Sequence, residues 1–208
     1  LKVFKAVQGI AAGVALMAAL AACGSSDGSQ GGGSEQKKSS PVVLEPDMVL
    51  RALISKAAAP KGWRSEGGSL FDSDKVEEVC RENTSSDCVG LSTVGRSTIS
   101  PEDEIMDSVG IRVYAFQFPD DAKVTMKAFV AHDRKYAVKG VKPPQVSVGA
   151  DETEAITLSD HTDVIMRVGS VVVSLRGPSG NKQPDYQAVA KVQIDRIKTA
   201  ATGRNPDA

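Results

Sequence analysis

The chain has 208 residues, and its 25 basic and 26 acidic side chains leave a formal net charge of −1. That balance excludes a protein held to nucleic acid by bulk charge. The length holds one domain of ordinary size once processed and linking segments are set aside, enough to bury a core without help.

The first residues have the parts of an export signal. Lys2 and Lys5 supply a positive start, and Ala6 to Ala22 carries no charge and is rich in Ala, Val and Leu. This run is short for a bilayer span, and Gln8 and two glycines weaken it further. Leu20-Ala21-Ala22-Cys23-Gly24 follows. Small residues directly before a cysteine resemble a bacterial lipobox, where a lipoprotein signal peptidase cuts. The expectation is a signal peptide over 1–22 and a lipid on Cys23 at the new N-terminus. The competing readings are a secretory signal with an incidental cysteine and an uncleaved anchor. Loss of Lys2 and Lys5 takes the formal charge from −1 to −3. One acyl chain holds only marginally, at about 0.8 kcal/mol per methylene, whereas a diacylglyceryl group with a further palmitate-type chain anchors firmly.

Residues 23–46 form the expected lipidated tether, dominated by Gly, Ser, Gln and Lys with little to bury. About 20 such residues reach roughly 25 Å. Gly31-Gly32-Gly33 lacks a preceding strand and a following Lys-Ser/Thr, so it is linker rather than phosphate loop. Lys37-Lys38 offers a weak touch to anionic headgroups. The globular domain is expected over 47–208. With Cys23 lipidated, Cys80 and Cys88 remain, and an even pair in an exported domain points to one disulfide. It closes a short polar loop and contributes about 2–3 kcal/mol by the chain-entropy estimate. A redox or metal pair is the competing reading, against which the spacing is not C-x-x-C and no His is close.

Met48, Leu50, Ala52, Leu53, Ile54 and Ala57 put an apolar face on a helix over 47–59, ended by Pro60. Pro60-Lys61-Gly62-Trp63 is a turn that delivers the only tryptophan, in position for a core or rim plug. Residues 64–75 look irregular, with Leu70-Phe71 extended, and Lys75 to Cys80 makes a helical turn. Arg96 to Ile99 is a short strand, followed by an acidic loop from Pro101 that lacks calcium-loop spacing. Val109 to Phe118 is the clearest strand. Val109, Ile111, Val113 and Ala115 face one way, and Tyr114, Phe116 and Phe118 face the other with Gly110 and Arg112. Apolar residues on both faces predict an interior strand. Pro119, Asp120 and Asp121 open a helix with Ala122, Met126, Phe129 and Val130 as its stripe, closed by Gly140.

Residues 139–148 form a loop or edge strand, and strands follow over 154–158 and 164–168. The turn Ser159-Asp160-His161-Thr162-Asp163 between them is the best metal suspect, although turns select Ser and Asp for backbone bonding anyway. His132 has no second ligand at i+4, where Tyr136 stands, and no metal is assigned. Gly169-Ser170 is a two-residue hairpin turn that pairs Val168 with Val171, Met166 with Val173 and Val164 with Leu175. On the other face it sets Arg167 opposite Val172 and Ile165 opposite Ser174. Arg167 is the odd residue there, suited to an acidic ligand group or to an internal carboxylate. The last helix covers 184–202, with Tyr186, Val189, Ala190, Ile197 and Ala201 inward, and Gly203 stops it.

Several of these stretches resemble actinobacterial lipoproteins related to the extracellular sensor domains of serine/threonine kinases, and small lipoproteins of PsbP-like fold. They are Pro60-Lys61-Gly62-Trp63, Cys80 with Cys88, Val148-Gly149 before Asp151-Glu152, Arg167 to Val173, and Arg196-Ile197 with Gly203 and Pro206-Asp207-Ala208. The resemblance implies an α+β domain, an antiparallel sheet with helices packed on it, and a cleft for a ligand. It supplies no catalytic residues. Ala150 is a departure, as is the single cysteine pair where such sensors often have two disulfides.

The expectation for function is a non-catalytic binding or sensing domain on the outer face of the cell membrane, held by its lipid anchor. Trp63, Tyr114, Phe116 and Arg167 are the candidate cleft residues. An envelope lipid, a peptidoglycan fragment or a partner protein is the expected ligand; no nucleic acid and no cofactor are expected. A cell-envelope hydrolase is the alternative, with His161 beside Asp160 or Asp163 as its first candidates. No G-x-S-x-G or H-E-x-x-H supports it. A structural or assembly factor of the envelope is the third reading.

Overall fold

A computed structural model describes residues 42–103, 107–179 and 184–208. The leader, Cys23 and most of the tether, to which the lipid-anchor expectation belongs, lie outside the described residues.

The element order is α1 (Pro46–Ala52), β1 (Trp63–Leu70), α2 (Val76–Thr84), β2 (Leu91–Pro101), β3 (Val109–Phe116), α3 (Pro119–Arg134), β4 (Glu152–Thr157), β5 (His161–Val168), β6 (Val171–Pro178) and α4 (Tyr186–Ala200). The strands form one open antiparallel sheet in the order β1-β2-β3-β6-β5-β4. With four helices packed on this sheet, the domain is α+β. Side chains alternate across a strand, so the sheet feeds two cores. On one face, Val109, Ile111, Val113 and Ala115 of β3 join Val164 and Met166 of β5 beneath α1 and α4. On the other, Tyr114 and Phe116 join Val94, Ile165 and Val172 beneath α2 and α3. β3 lies between β2 and β6, the interior position its two apolar faces predict.

The hairpin register is the one the sequence predicts, down to Arg167 opposite Val172 and Ile165 opposite Ser174. Gly169 takes φ +58 at its turn, a conformation that favours glycine. Cys80 and Cys88 form a disulfide with a Cα–Cα distance of 6.3 Å, tying the middle of α2 to the approach to β2.

Differences from the expected elements have physical causes. The first helix stops at Ala52, not Ala59, because Leu53 turns to extended backbone and buries itself with Ile54. The carbonyls this frees are taken by α4. Gln193 Nε2 donates to Ala52 O at 2.8 Å, and Arg196 donates to Leu53 O at 2.8 Å and Arg51 O at 2.7 Å. Residues 63–70 form a full edge strand with a register shift between Ser65 and Gly68, where two glycines hide the strand pattern. The strand expected over 96–99 extends over 91–101. α3 ends at Arg134, and the chain leaves so that Val138 N can donate to Thr157 O at the end of β4. Of the segment read as tether, Leu44 is buried, and Val42 O accepts from Ser170 N at 2.8 Å. Packing therefore begins at Val42 among the described residues.

Candidate functional site

The four residues expected to line a cleft are not gathered into one. Trp63 packs against the core under α1 and α4, whereas Tyr114 and Phe116 lie in the core on the opposite face. Tyr114 and Phe116 are also fully buried, so they build the domain rather than line a surface. Arg167 shares their face but is engaged: Nε reaches Glu152 at 2.9 Å, and Nη1 reaches Asp151 at 3.1 Å and Gly169 O at 2.9 Å. It is the pairing of an internal arginine with carboxylates that the sequence left open beside a ligand role.

The two histidines divide the parts of a hydrolytic triad between them. His161 stands between carboxylates, with Nδ1 at 2.8 Å from Asp160 and Nε2 at 3.2 Å from Asp163. His132 has a serine instead, with Nδ1 at 2.8 Å from Ser85 Oγ across the α2–α3 contact. A triad needs nucleophile, base and orienting acid in one chain of contacts. Among the described residues neither histidine has all three. The His161 turn lacks free carboxylates for a cation as well. Asp163 is fully buried and accepts from Arg176 twice, at 2.9 and 2.7 Å. Among the described residues, no group of three or more His, Cys, Asp or Glu is arranged to hold a metal.

The polar half of the α2–α3 face is where the sheet stays open. α3 and α2 cover Val94, Tyr114, Phe116 and Ile165. Further along the same strands and on the same side stand Arg96 and Thr98 of β2, Gly110 and Arg112 of β3, and Arg176 of β6. They line a hollow of about 340 Å³. The register explains how they meet: Arg96 is directly opposite Arg112, Thr98 opposite Gly110, and Gly110 opposite Arg176. Gly110 keeps the floor low, because a Cβ there would meet nothing nearer than Arg176 O at 3.8 Å.

Charge in this hollow is unequal. Arg176 is matched by Asp163. Arg96 donates from Nε to Ser69 Oγ at 3.1 Å and rests over the Phe71 ring at 4.8 Å. Among the described residues, no carboxylate pairs with Arg96 or with the half-buried Arg112. Behind the hollow, Asp133 of α3 is buried within reach of the Asp163 and Arg176 charges. Burial first, and the Asp163 charge second, push its carboxyl up to about 7. Tyr114, in the core beneath, has its hydroxyl buried without a hydrogen-bond partner of good geometry and pushed up to about 12, chiefly by burial.

Sequence reasoning placed Arg112 on the Tyr114 face but gave it no role, and passed over Arg96, Arg176, Asp133 and Asp163 as members of one site. The available signal was parity. Asp163 shares its face with Ile165, and Arg176 shares its face with Val172, so both had to point at the α3 side.

No protein-family model matches the chain, and no curated protein matches it. Among solved structures, the chain is similar to the extracellular domain of PknH from Mycobacterium tuberculosis, at 14% identity and a TM-score of 0.43, over 77% of this chain and 93% of that one. That likeness carries no residue role to this chain.

Proposed function

We propose that the protein is a membrane-anchored, extracytoplasmic lipoprotein whose domain binds a ligand without transforming it. The observation that carries this reading is the half-covered sheet face. Helices α2 and α3 seal one half, and the other half holds a polar hollow of about 340 Å³, within the range of small-ligand sites. The lipobox at Leu20 to Gly24 supports the address, and the Cys80–Cys88 disulfide fits an oxidising compartment. The split of Ser85–His132 from His161–Asp163 favours binding over hydrolysis, because neither pair forms a complete relay.

Intact-mass analysis of the protein from native membranes tests the address. The expected mass is that of residues 23–208 with a diacylated and N-acylated Cys23, and Cys23→Ala leaves the precursor uncut. Unlipidated protein free in the medium would sink the anchor. The non-catalytic half is tested by His132→Ala/His161→Ala. Ligand retention in the double variant equal to that of the native protein is expected, and loss of turnover of an envelope substrate would reverse the assignment.

A further inference from the structure

The hollow is built for charge. Arg96 and Arg112 are directly opposed on adjacent strands. Like charges in that position repel and destabilise a sheet. Neither has a carboxylate partner among the described residues, whereas Arg167, Arg176 and Arg196 each do. The single side-chain bond of Arg96 uses Nε alone, and stacking on Phe71 holds the guanidinium plane in place. Asp163 occupies Nε and Nη2 of Arg176, so Nη1 remains for the hollow. Thr98 adds a hydroxyl, and Gly110 contributes no side chain to the lining. Two guanidinium groups without carboxylate partners, lining one hollow from adjacent strands, suit a group with two negative charges and several acceptor oxygens.

We infer that Arg96, Arg112 and the free edge of Arg176 form a binding site for a phosphoryl group, with Thr98 and Gly110 shaping its floor. This rests on the reading of the domain as a binding module and names the ligand class for the same hollow. The phosphoryl group belongs either to a soluble phosphorylated molecule or to a lipid headgroup. Guanidinium contacts to an oxyanion are charge-assisted and bidentate in favourable cases, which sets phosphate apart from neutral glycans.

Calorimetry on the full chain tests it with inorganic phosphate, dioctanoyl phosphatidic acid below its micelle concentration, and glucose as the neutral control. Saturable phosphate binding is expected, with glucose silent. Arg112→Gln is expected to weaken phosphate about tenfold or more, since it removes a charged hydrogen-bond donor. Gly110→Leu is expected to weaken it comparably by filling the hollow with no change of charge. Its φ lies outside the left-handed region and a Cβ there makes only an ordinary contact with Arg176 O at 3.8 Å, so the backbone accepts a side chain at this position. Tighter binding of phosphatidic acid than of phosphate assigns a lipid source, and equal binding assigns a soluble one. Phosphate binding that is absent, or unchanged in both Arg112→Gln and Gly110→Leu, overturns the inference. Components of a peptidoglycan digest that bind in a Gly110→Leu-sensitive manner, with no response to phosphate, would overturn the ligand class while leaving the binding role in place.

Discussion

Asp133 and Asp163 show what a single buried charge does to this domain. Both are almost completely buried and feel one another's charge, and the Arg176 hydrogen bonds go to Asp163. One arginine balances one carboxylate, so the second carboxyl keeps its proton. The Asp133 carboxyl rises from an ordinary 3.8 to about 7. The folded state therefore holds a proton that the unfolded chain releases between those values. By linkage, this contribution to stability is complete below the unfolded value and is lost as pH rises through the folded one. Urea denaturation is expected to show the native protein losing stability from pH 4 to pH 7.5 more steeply than Asp133→Asn. The amide keeps a donor toward Asp163 and cannot ionise, so the variant is the more stable of the two at pH 8. A pH slope shared by both proteins would remove Asp133 as its source. In the sequence Asp163 sits in a run rich in turn-forming residues, and its neighbours Ser159, Asp160 and His161 outweigh the period-two pattern that begins there. β5 already starts at His161, so the strand pattern was present and the turn chemistry masked it.

At the scale of elements, α1 depends on α4 more than on its own sequence. Its seven residues are too few to hold a helix alone. Its last carbonyls are satisfied by Gln193 and Arg196, which lie more than a hundred residues away. Arg196 is 5% exposed and also grips Asp207, which accepts from Ser55 too, so α1, α4 and the C-terminal tail share one polar knot. Arg196→Met strands the buried carbonyls and one partner of a largely buried ion pair, for a loss of about 3 kcal/mol. Asp207 is partly exposed, so Asp207→Asn is expected to cost no more than about 1 kcal/mol. Chemical denaturation separates the two, and equal losses would contradict the carbonyl account. The same knot explains why α1 was expected to run to Ala59: a cap supplied from another helix leaves no local mark on residues 53–59. β3, β5, β6 and the hairpin between the last two were legible because each carries its face pattern locally. β1 was not, because Gly67 and Gly68 interrupt it at the register shift.

The described domain has two distinct ends. The chain comes into the domain at Val42, whose carbonyl accepts from Ser170 N at 2.8 Å and Ser170 Oγ at 3.1 Å. That turn adjoins the Phe116 end of β3, since Phe116 N donates to Ser170 O. The arginine hollow lies toward the other end, four residues back along β3 at Arg112 and six along β6 at Arg176. At about 3.3 Å per residue this is roughly 13–20 Å from the point where the chain comes in. Within the described residues, the entry at Val42 and the open hollow thus lie toward opposite ends of the central strands. This arrangement follows from strand order, which the sequence did not reveal, because β3 is followed by α3 and a long connection before β4 starts the far edge. Docking of Val42 depends on Gly169. Its φ of +58 disfavours any side chain, and a Cβ would collide with the backbone of Val42. Gly169→Ala is therefore expected to lower stability by about 1–2 kcal/mol and to release residues 42–45 from the fold. Limited proteolysis reads the second effect directly: new cleavage around Leu44, with phosphate binding at the hollow retained. If cleavage appears and binding is lost with it, the two ends of the sheet are coupled and the tether is part of the site. If the Leu44 region stays protected, Val42 is held by contacts other than the hairpin turn.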